Sequence, residues 1–323
     1  MTISRRLATA VLVAAAAAAT TAFAQQRVFF GIATGGTGGT YYPLGGMLAQ
    51  LISNKATVDG KKITATAEAA GASVANAKLL GNKDIESAFV AADILDAAYN
   101  GTGQFKDGAI KNLRALGALY PETVQLITRG DSGINSVKDL KGKSISSGSP
   151  GSGQYQLLTD LLKVYGMSRA DIKEDLSSFT QAVDKIKDGN LDATLITAGV
   201  PTAAVTDFAQ SHSMKLIPLS GPEIAALQKE QPFYTNVKLP ANTYKGQAAP
   251  VDTLAVMAVW TSHAGVPDDL AYQVVKALYE NTAIMGQVHV QGKNIGLQTA
   301  TAVGNVPMHP GALKYFKEKG VVK

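Results

Sequence analysis

The stretch from Gly35 to Gly46, GGTGGTYYPLGG, carries the chemistry that stands out most in the sequence. It follows a predicted strand and opens a predicted helix. Glycines let a backbone approach a ligand closely, and the free N–H groups at a helix N-terminus attract anions. We therefore expect Thr37 and Thr40 to offer hydroxyl groups, and Tyr41 and Tyr42 to offer ring faces, to a small organic anion. Thr40 is also expected to cap the helix that follows.

This loop does not fit the nucleotide-binding patterns. It lacks the lysine of G-x-x-x-x-G-K-[ST] and the third glycine of G-x-G-x-x-G. A glycine-rich turn that only packs a helix against a sheet remains the alternative. A second loop, SSGSPGSG at Ser146–Gly153, repeats the strand–loop–helix arrangement. It favours binding, because two facing helix N-termini can hold one anion across a cleft that closes about a hinge.

Three further loops show the strand–loop–helix arrangement less clearly. Ser73 follows Gly71 and is predicted to cap a helix, as is Asp93. Pro201 follows Gly199 and is predicted to stand at the first position of another helix. For Ser73 and Asp93, capping alone is the favoured interpretation over ligand contact.

Catalytic and metal-binding patterns are weak or missing in the sequence. The chain has no cysteine, and the segment around Ser149 lacks the first glycine of G-x-S-x-G. The four histidines show no metal-ligand spacing. We therefore expect a binding protein that is not an enzyme and has no metal and no cofactor.

The elements that must position these loops alternate between strand-like and helix-like segments. Such alternation predicts an α/β fold with mainly parallel sheets. Predicted strands include Val28–Ala33, Leu113–Leu119 and Val124–Thr128, the last two as separate strands. The length predicts two domains, and no flexible linker separates two halves. The chain is expected to cross between lobes at Tyr120–Thr123 and within Pro232–Pro250.

The N-terminus predicts export from the cytoplasm. Arg5 and Arg6 precede an alanine-rich apolar run and an A-x-A site, so residues 1–24 are interpreted as a signal peptide cleaved after Ala24. The alternative, a membrane anchor, is disfavoured because the run is short. No cysteine is present to carry a lipid anchor. Removing residues 1–24 leaves 28 basic and 25 acidic residues, and this mild balance gives no support to nucleic-acid binding.

The sequence resembles the TAXI family, the TRAP-associated extracytoplasmic solute-binding receptors. The glycine–tyrosine opening and the H-P-G-A ending are its more specific motifs, whereas D-L-x-G-K is shared with many periplasmic receptors. The match runs through essentially the whole chain after residue 24. It rests on Thr37–Gly46, Gly133–Ile134, Val137–Lys143, Pro150–Gly153, Gly189, Leu191–Ala193, Gly199, Pro201, Tyr244, Gly246, Pro307 and His309–Ala312.

This resemblance implies a type II periplasmic-binding-protein fold, with two α/β lobes, a hinge and a ligand cleft between the lobes. Residues 25–122 and 238–323 would form lobe 1, and residues 123–237 would form lobe 2. It implies a monomeric receptor in the periplasm. The receptor would deliver a small anionic or zwitterionic ligand, such as glutamate or a dicarboxylate, to a TRAP permease driven by an ion gradient.

The ligand-binding residues are expected on both lobes. Gln154, Ala91 and Ala72 depart from the family pattern, which leaves the ligand open. A receptor of the same fold that serves an ABC transporter or a sensor is the alternative, and an enzyme on this fold is a further one. The expected contacts are Thr37, Gly38, Gly39, Thr40, Tyr41, Tyr42, Ser73, Ser149, Gly151, Ser152, Gly153, Gly199 and Pro201.

Overall fold

The computed structural model describes residues 27–322. The predicted signal peptide and its cleavage site therefore lie outside the described residues. Within residues 27–322, no helix is long and apolar enough to cross a membrane.

Strands and helices alternate along the first two thirds of the chain, as predicted. The strands are β1 (Val28–Ala33), β2 (Thr57–Val58), β3 (Lys61–Glu68), β4 (Ser87–Ala91), β5 (Leu113–Arg129), β6 (Ser144–Ser146), β7 (Lys173–Asp175), β8 (Ala193–Ala198), β9 (Met214–Ile217), β10 (Thr235–Leu239) and β11 (Val251–His263). The α-helices are α1 (Tyr41–Lys55), α2 (Ser73–Asn82), α3 (Ala92–Asn100), α4 (Gln154–Val164), α5 (Phe179–Lys187), α6 (Ala203–Ser211), α7 (Pro222–Glu230), α8 (Asp268–Tyr279) and α9 (Pro310–Glu318).

The helices bury the apolar faces that the spacing of their leucines predicts. Leu48 and Leu51 of α1 and Leu158 and Leu161 of α4 are buried. Each fully buried leucine contributes about 1.5–3 kcal/mol relative to an exposed one. These helices therefore hold the loops that precede them firmly against the sheet.

In the described part of the chain, eleven strands form one sheet in the order β2-β3-β1-β4-β11-β5-β8-β6-β7, with β10 beside β11 and β9 beside β5. Strands β1, β3 and β4 pair in parallel, as do β6, β7 and β8. The two long strands β5 and β11 are antiparallel to their neighbours. Strands β2, β9 and β10 are also antiparallel to their partners. The prediction of mainly parallel sheets was therefore wrong, because β5 and β11 run against the strands on either side of them.

The long strands join the two halves of the sheet. Residues 113–123 of β5 pair with β11, and residues 123–128 pair with β8. In β11, residues 251–255 pair with β10 and residues 258–262 with β4. We call β1–β4 with α1–α3, α8 and α9 the first lobe, and β6–β9 with α4–α7 the second lobe.

The crossing of β5 differs from expectation in one respect. The predicted strands Leu113–Leu119 and Val124–Thr128 form one strand that continues through Pro121, opposite Met257. The strand changes partner at Thr123, within the predicted crossing. The second change of partner lies in β11, after the predicted segment Pro232–Pro250. The lobe boundaries at residues 122/123 and 237/238 stay a prediction.

Candidate functional site

A cavity of about 250 Å³ lies between the lobes, beside the N-termini of helices α1, α2 and α4. Loops from both lobes line it, and we call the loops Gly35–Thr40, Ala70–Ser73 and Ser149–Gly153 its wall, although Pro150 and Gly151 do not themselves face the cavity. At roughly 30 Å³ per water, the space corresponds to about eight waters, which suits a small metabolite. Nine of the predicted residues line it: Thr37, Gly38, Gly39, Thr40, Tyr41, Ser73, Ser149, Ser152 and Gly153.

Thr40 stands directly before α1 but does not cap the helix with its side chain. Its hydroxyl instead donates a hydrogen bond to the carbonyl oxygen of Gly199 in the second lobe, at 3.0 Å. The predicted capping role of Thr40 was therefore wrong, because a contact between the lobes takes up the hydroxyl hydrogen. The N-terminus of α1, with its positive dipole end, remains at the cavity.

The start of α2 also differs from expectation. The helix begins at Ser73, and the residue before it is Ala72, so Ser73 does not stand at the predicted capping position. The Ser73 hydroxyl accepts a hydrogen bond from the backbone N–H of Ala91 at 3.0 Å. The carbonyl of Gly151 accepts from the N–H groups of Val74 and of the next residue, at 2.9 and 3.0 Å. The second lobe thus provides the hydrogen-bond acceptor for the backbone N–H groups in the first turn of α2.

Gly38 marks where the wall of the first lobe meets the second lobe. Its carbonyl oxygen accepts a hydrogen bond from the N–H of Ala204 at 3.2 Å. A Cβ atom at this position would overlap the Thr180 hydroxyl and come within 3.3 Å of the Ala204 side chain. A side chain at this position would force Thr180 to turn and Ala204 to move, so glycine favours this close approach of the lobes.

The second loop contributes hydroxyls from Ser149 and Ser152. Ser152 is buried, and its hydroxyl lies 3.4 Å from the carbonyl oxygen of Ser147, a long hydrogen bond. Helix α4 begins at Gln154, which also lines the cavity. The Gln154 amide is 3.5 Å from the carbonyl of Thr197, at the limit of a hydrogen bond. The Ser152 hydroxyl and the Gln154 amide thus make only weak hydrogen bonds within the protein, and they can turn towards a ligand.

Four predicted residues do not line the cavity. Tyr42 is 39% exposed on the outer face of α1. Gly151 binds the first turn of α2, as described above, and Gly199 accepts from Thr40. Pro201 follows a cis peptide bond, and its carbonyl lies 3.0 Å from His289. Helix α6 begins only at Ala203, so the prediction that Pro201 opens this helix was wrong.

Two buried carboxyl groups, which sequence reasoning missed as site residues, face the cavity. Glu122 is 4% exposed on β5, and its Oε2 accepts a hydrogen bond from the Tyr41 hydroxyl at 3.1 Å. Asp93 lies in the first turn of α3, whose cap position is Ala91, so the prediction that Asp93 caps this helix was wrong. Its Oδ2 accepts from the Tyr234 hydroxyl at 2.7 Å. We call Glu122, Asp93, Tyr41 and Tyr234 the floor of the cavity.

Burial sets the protonation of the floor. It raises the pKa of the Glu122 carboxyl well above its usual value, and the hydrogen bond from Tyr41 only partly opposes this. Burial likewise raises the pKa of Asp93, against the hydrogen bond from Tyr234. The charge of Asp93 further raises the pKa of Glu122, so the two carboxyls are electrostatically coupled.

Basic groups are missing from this site. Among the described residues, no lysine, arginine or histidine lines the cavity. Within residues 27–322, no group of three or more His, Cys, Asp or Glu side chains is arranged to hold a metal ion. The wall offers hydroxyl and N–H groups, and the floor offers carboxyl oxygens, so the chemistry available is hydrogen bonding and charge pairing.

The fold is similar to that of solved binding proteins. The alkanesulfonate-binding protein SsuA from Xanthomonas axonopodis pv. citri, bound to MOPS, has a TM-score of 0.51 at 18% identity, over 90% of this chain and 82% of that one. The periplasmic binding protein BugD has a TM-score of 0.55 at 13% identity, over 92% and 94%. PhnD1 from Prochlorococcus marinus, in complex with methylphosphonate, has a TM-score of 0.51 at 10% identity, over 82% and 90%.

These identities are low, so the likeness concerns the fold alone. It confirms the predicted α/β fold of periplasmic binding proteins, with two lobes. A family model matches residues 32–320. This match includes both lobes, both long strands and every residue of the cavity, and the chain therefore belongs to the NMT1-like family.

Proposed function

We propose that the protein is a periplasmic solute-binding receptor that encloses a small organic anion or amino acid between its lobes and delivers it to a TRAP-type membrane permease. The observation that carries the proposal is the cavity of about 250 Å³, which both lobes line with loops that begin helices. Backbone N–H groups and hydroxyls of the wall would hold a ligand carboxylate. No arginine takes part, since none lines the cavity within the described residues.

A binding role without catalysis agrees with the make-up of the site. The cavity has serines but, among the described residues, no histidine to activate one as a nucleophile. Two of the structural relatives reported above, SsuA and BugD, are named as binding proteins. The protein is thus proposed to bind and release its ligand unchanged, without a cofactor.

The choice of transporter rests on the resemblance to TAXI receptors in the motifs around Thr37–Gly46 and His309–Ala312. An ABC transporter or a sensor is the alternative, because receptors with this fold are not restricted to one transporter class. Uptake of ligand by cells that make the receptor and its permease distinguishes them. A TRAP system stops when an ionophore collapses the ion gradient while ATP is maintained, and an ABC system continues.

The location and the lobe boundaries complete the proposal. Export by the N-terminal segment, with cleavage after Ala24 and no lipid anchor, would place a free monomer in the periplasm. The lobes would comprise residues 25–122 with 238–323, and residues 123–237. Mass spectrometry of protein from the periplasmic fraction tests the cleavage, and Gln25 is the expected first residue.

A thermal-shift screen tests ligand binding. The purified protein is unfolded and refolded to remove carried-over ligand, which is straightforward because the chain has no cysteine. Amino acids, dicarboxylates and keto acids are then added. A ligand at a hundredfold excess over its Kd stabilises by about 2.7 kcal/mol, a shift of roughly 2–4 °C. Failure of every carboxylic acid to shift the melting temperature would contradict the proposal.

A further inference from the structure

The floor of the cavity presents carboxyl oxygens that the protein leaves without partners. In Glu122, the Tyr41 hydroxyl bonds Oε2, and no other described group bonds the carboxyl. In Asp93, the Tyr234 hydroxyl bonds Oδ2. The Asp93 Oδ1 is shielded from solvent and has no hydrogen bond of good geometry. Both side chains line the cavity, but only Glu122 offers an open oxygen to a bound molecule, and Asp93 adds its charge nearby.

Burying these carboxyls costs free energy unless another group compensates their negative charge. A buried carboxylate without a counter-charge loses its hydration and gains little in return. No basic side chain among the described lining residues supplies that charge. At Asp93, backbone N–H groups at the start of α3 partly oppose the effect of burial on the pKa. At Glu122, the compensating group must therefore be a proton, in the free protein, or a cation that the ligand brings.

We propose that Glu122 and Asp93 form the subsite for a ligand ammonium group, and that the receptor selects amino-bearing carboxylic acids over dicarboxylates and keto acids. This inference rests on the proposed function, since it names the ligand class for the same cavity. The ammonium group is a hydrogen-bond donor without an acceptor, so it would donate to the free oxygen of Glu122, beside the charge of Asp93. The ligand carboxylate lies at the wall, beside the N-terminus of α1.

Electrostatics favours this orientation over its reverse. The dipole of α1 attracts negative charge at the wall, whereas the coupled carboxyls of the floor attract positive charge. A dicarboxylate would place its second negative charge beside Glu122 and Asp93, with no base to offset it. It binds only if the floor stays protonated. Binding of an amino acid should therefore release a proton, whereas binding of a dicarboxylate should release none.

Titration calorimetry on the refolded protein measures this difference. Each L-amino acid that binds is compared with its 2-oxo acid, for example L-glutamate with 2-oxoglutarate, and glutarate is added as a dicarboxylate. We expect the amino acid to bind about tenfold or more tightly than its oxo analogue, since one hydrogen bond to a charged group is lost. In buffers of different ionisation enthalpy, amino-acid binding should release a proton, because the ammonium favours the ionised floor.

Two variants test whether Glu122 is responsible for the preference for amino acids and for the proton release. E122Q keeps the size of the side chain and an acceptor for Tyr41, but removes the charge. It should weaken amino-acid binding at least about tenfold and abolish proton release. D96N is the matched control, because Asp96 lies on the same helix as Asp93 and bonds Asn305 outside the cavity. It should bind as the unchanged protein does.

The outcomes separate this inference from the proposed function. If oxo acids or glutarate bind as tightly as amino acids, or binding takes up protons, the ammonium subsite is refuted and the receptor function stands. Unchanged amino-acid affinity in E122Q, with a normal melting temperature, also refutes the subsite. If no carboxylic acid of either kind binds the refolded protein, the proposed function itself fails.

Discussion

The wall and the floor of the cavity differ in what their polar groups do. The wall is uncharged, and several of its groups bridge the lobes: Thr40 bonds Gly199, Gly38 bonds Ala204, and Gly151 bonds the start of α2. The floor is acidic and buried, and each carboxyl there bonds a tyrosine.

This difference separates two tasks within one site. The wall closes the lobes and offers neutral donors, so its variants should change affinity without changing its pH dependence. The floor carries the titratable charge, so its variants should change pH dependence without opening the lobes. Three substitutions, taken from the largest expected effect to the smallest, test this division.

Gly38→Val should abolish binding. Its side chain would overlap Thr180 and crowd Ala204 in the second lobe, and the lobes could not close. Titration calorimetry should show no heat with a ligand that binds the unchanged protein. Small-angle scattering in the presence of that ligand should give a larger radius of gyration.

Gly46→Ala is the matched control, because a Cβ at Gly46 meets nothing within 4 Å. It lies in α1 outside the cavity and should stabilise that helix by about 0.5–1 kcal/mol, with binding unchanged. If Gly38→Val binds normally, Gly38 has no part in closing the wall.

Ser152→Ala should weaken binding by about 1–3 kcal/mol, the cost of leaving a buried ligand group without its hydrogen bond. Ser152 is buried at the cavity and only loosely bonded to Ser147. The affinity ratio to the unchanged protein should be the same at every pH, as expected for the wall. Ser220→Ala, at an exposed serine outside the cavity, provides the baseline. An equal affinity for both variants would remove Ser152 from the site.

Glu122→Gln should alter the pH dependence of stability in the ligand-free protein. The pKa of Glu122 is raised on folding, so the folded state holds this proton when the unfolded chain has lost it. Its contribution is therefore fully present below the usual glutamate pKa and is lost as pH rises through the folded pKa. The slope from one group is at most about 1.4 kcal/mol per pH unit.

Chemical denaturation of the Gln variant across pH 4–9, a range of about five units chosen to span ordinary and raised values, should show a smaller loss of stability with rising pH. Scattering should show that its lobes still close. A Gln variant with the same pH profile as the unchanged protein would mean that folding does not raise the pKa of Glu122.

The wall was predictable from sequence, and the floor was not. Glycine, serine and threonine between a strand and a helix have a direct structural meaning, which is why most predicted residues line the cavity. Glu122 lies in an apolar strand beside Pro121, where nothing local shows that the strand passes under a cavity. Asp93 matches a capping pattern equally well. Its role depends on Tyr234, a partner far away in the chain.

The fold was predictable to a similar degree. Local periodicity indicates helices such as α4, whose leucines are buried as expected. The direction and continuity of β5 and β11 depend on pairing across the whole chain, which a local pattern does not contain. The hydroxyls of Thr40 and Ser73 do not cap α1 and α2 as predicted, for the same reason. Their partners, Gly199 and Ala91, come from other segments of the chain.

The position of β11 has a consequence for how the chain folds. This strand lies between β4 and β5, with Ala258 beside both Ala91 and Tyr120. Pairing between segments so distant in sequence is slow, because chain entropy is lost before the contacts form. The sheet of the second lobe, β5-β8-β6-β7 with β9 beside β5, is continuous without β11, whereas the sheet of the first lobe stays split until β11 arrives. We expect the second lobe to form early. The ability to bind the ligand should appear last, as the final step of folding.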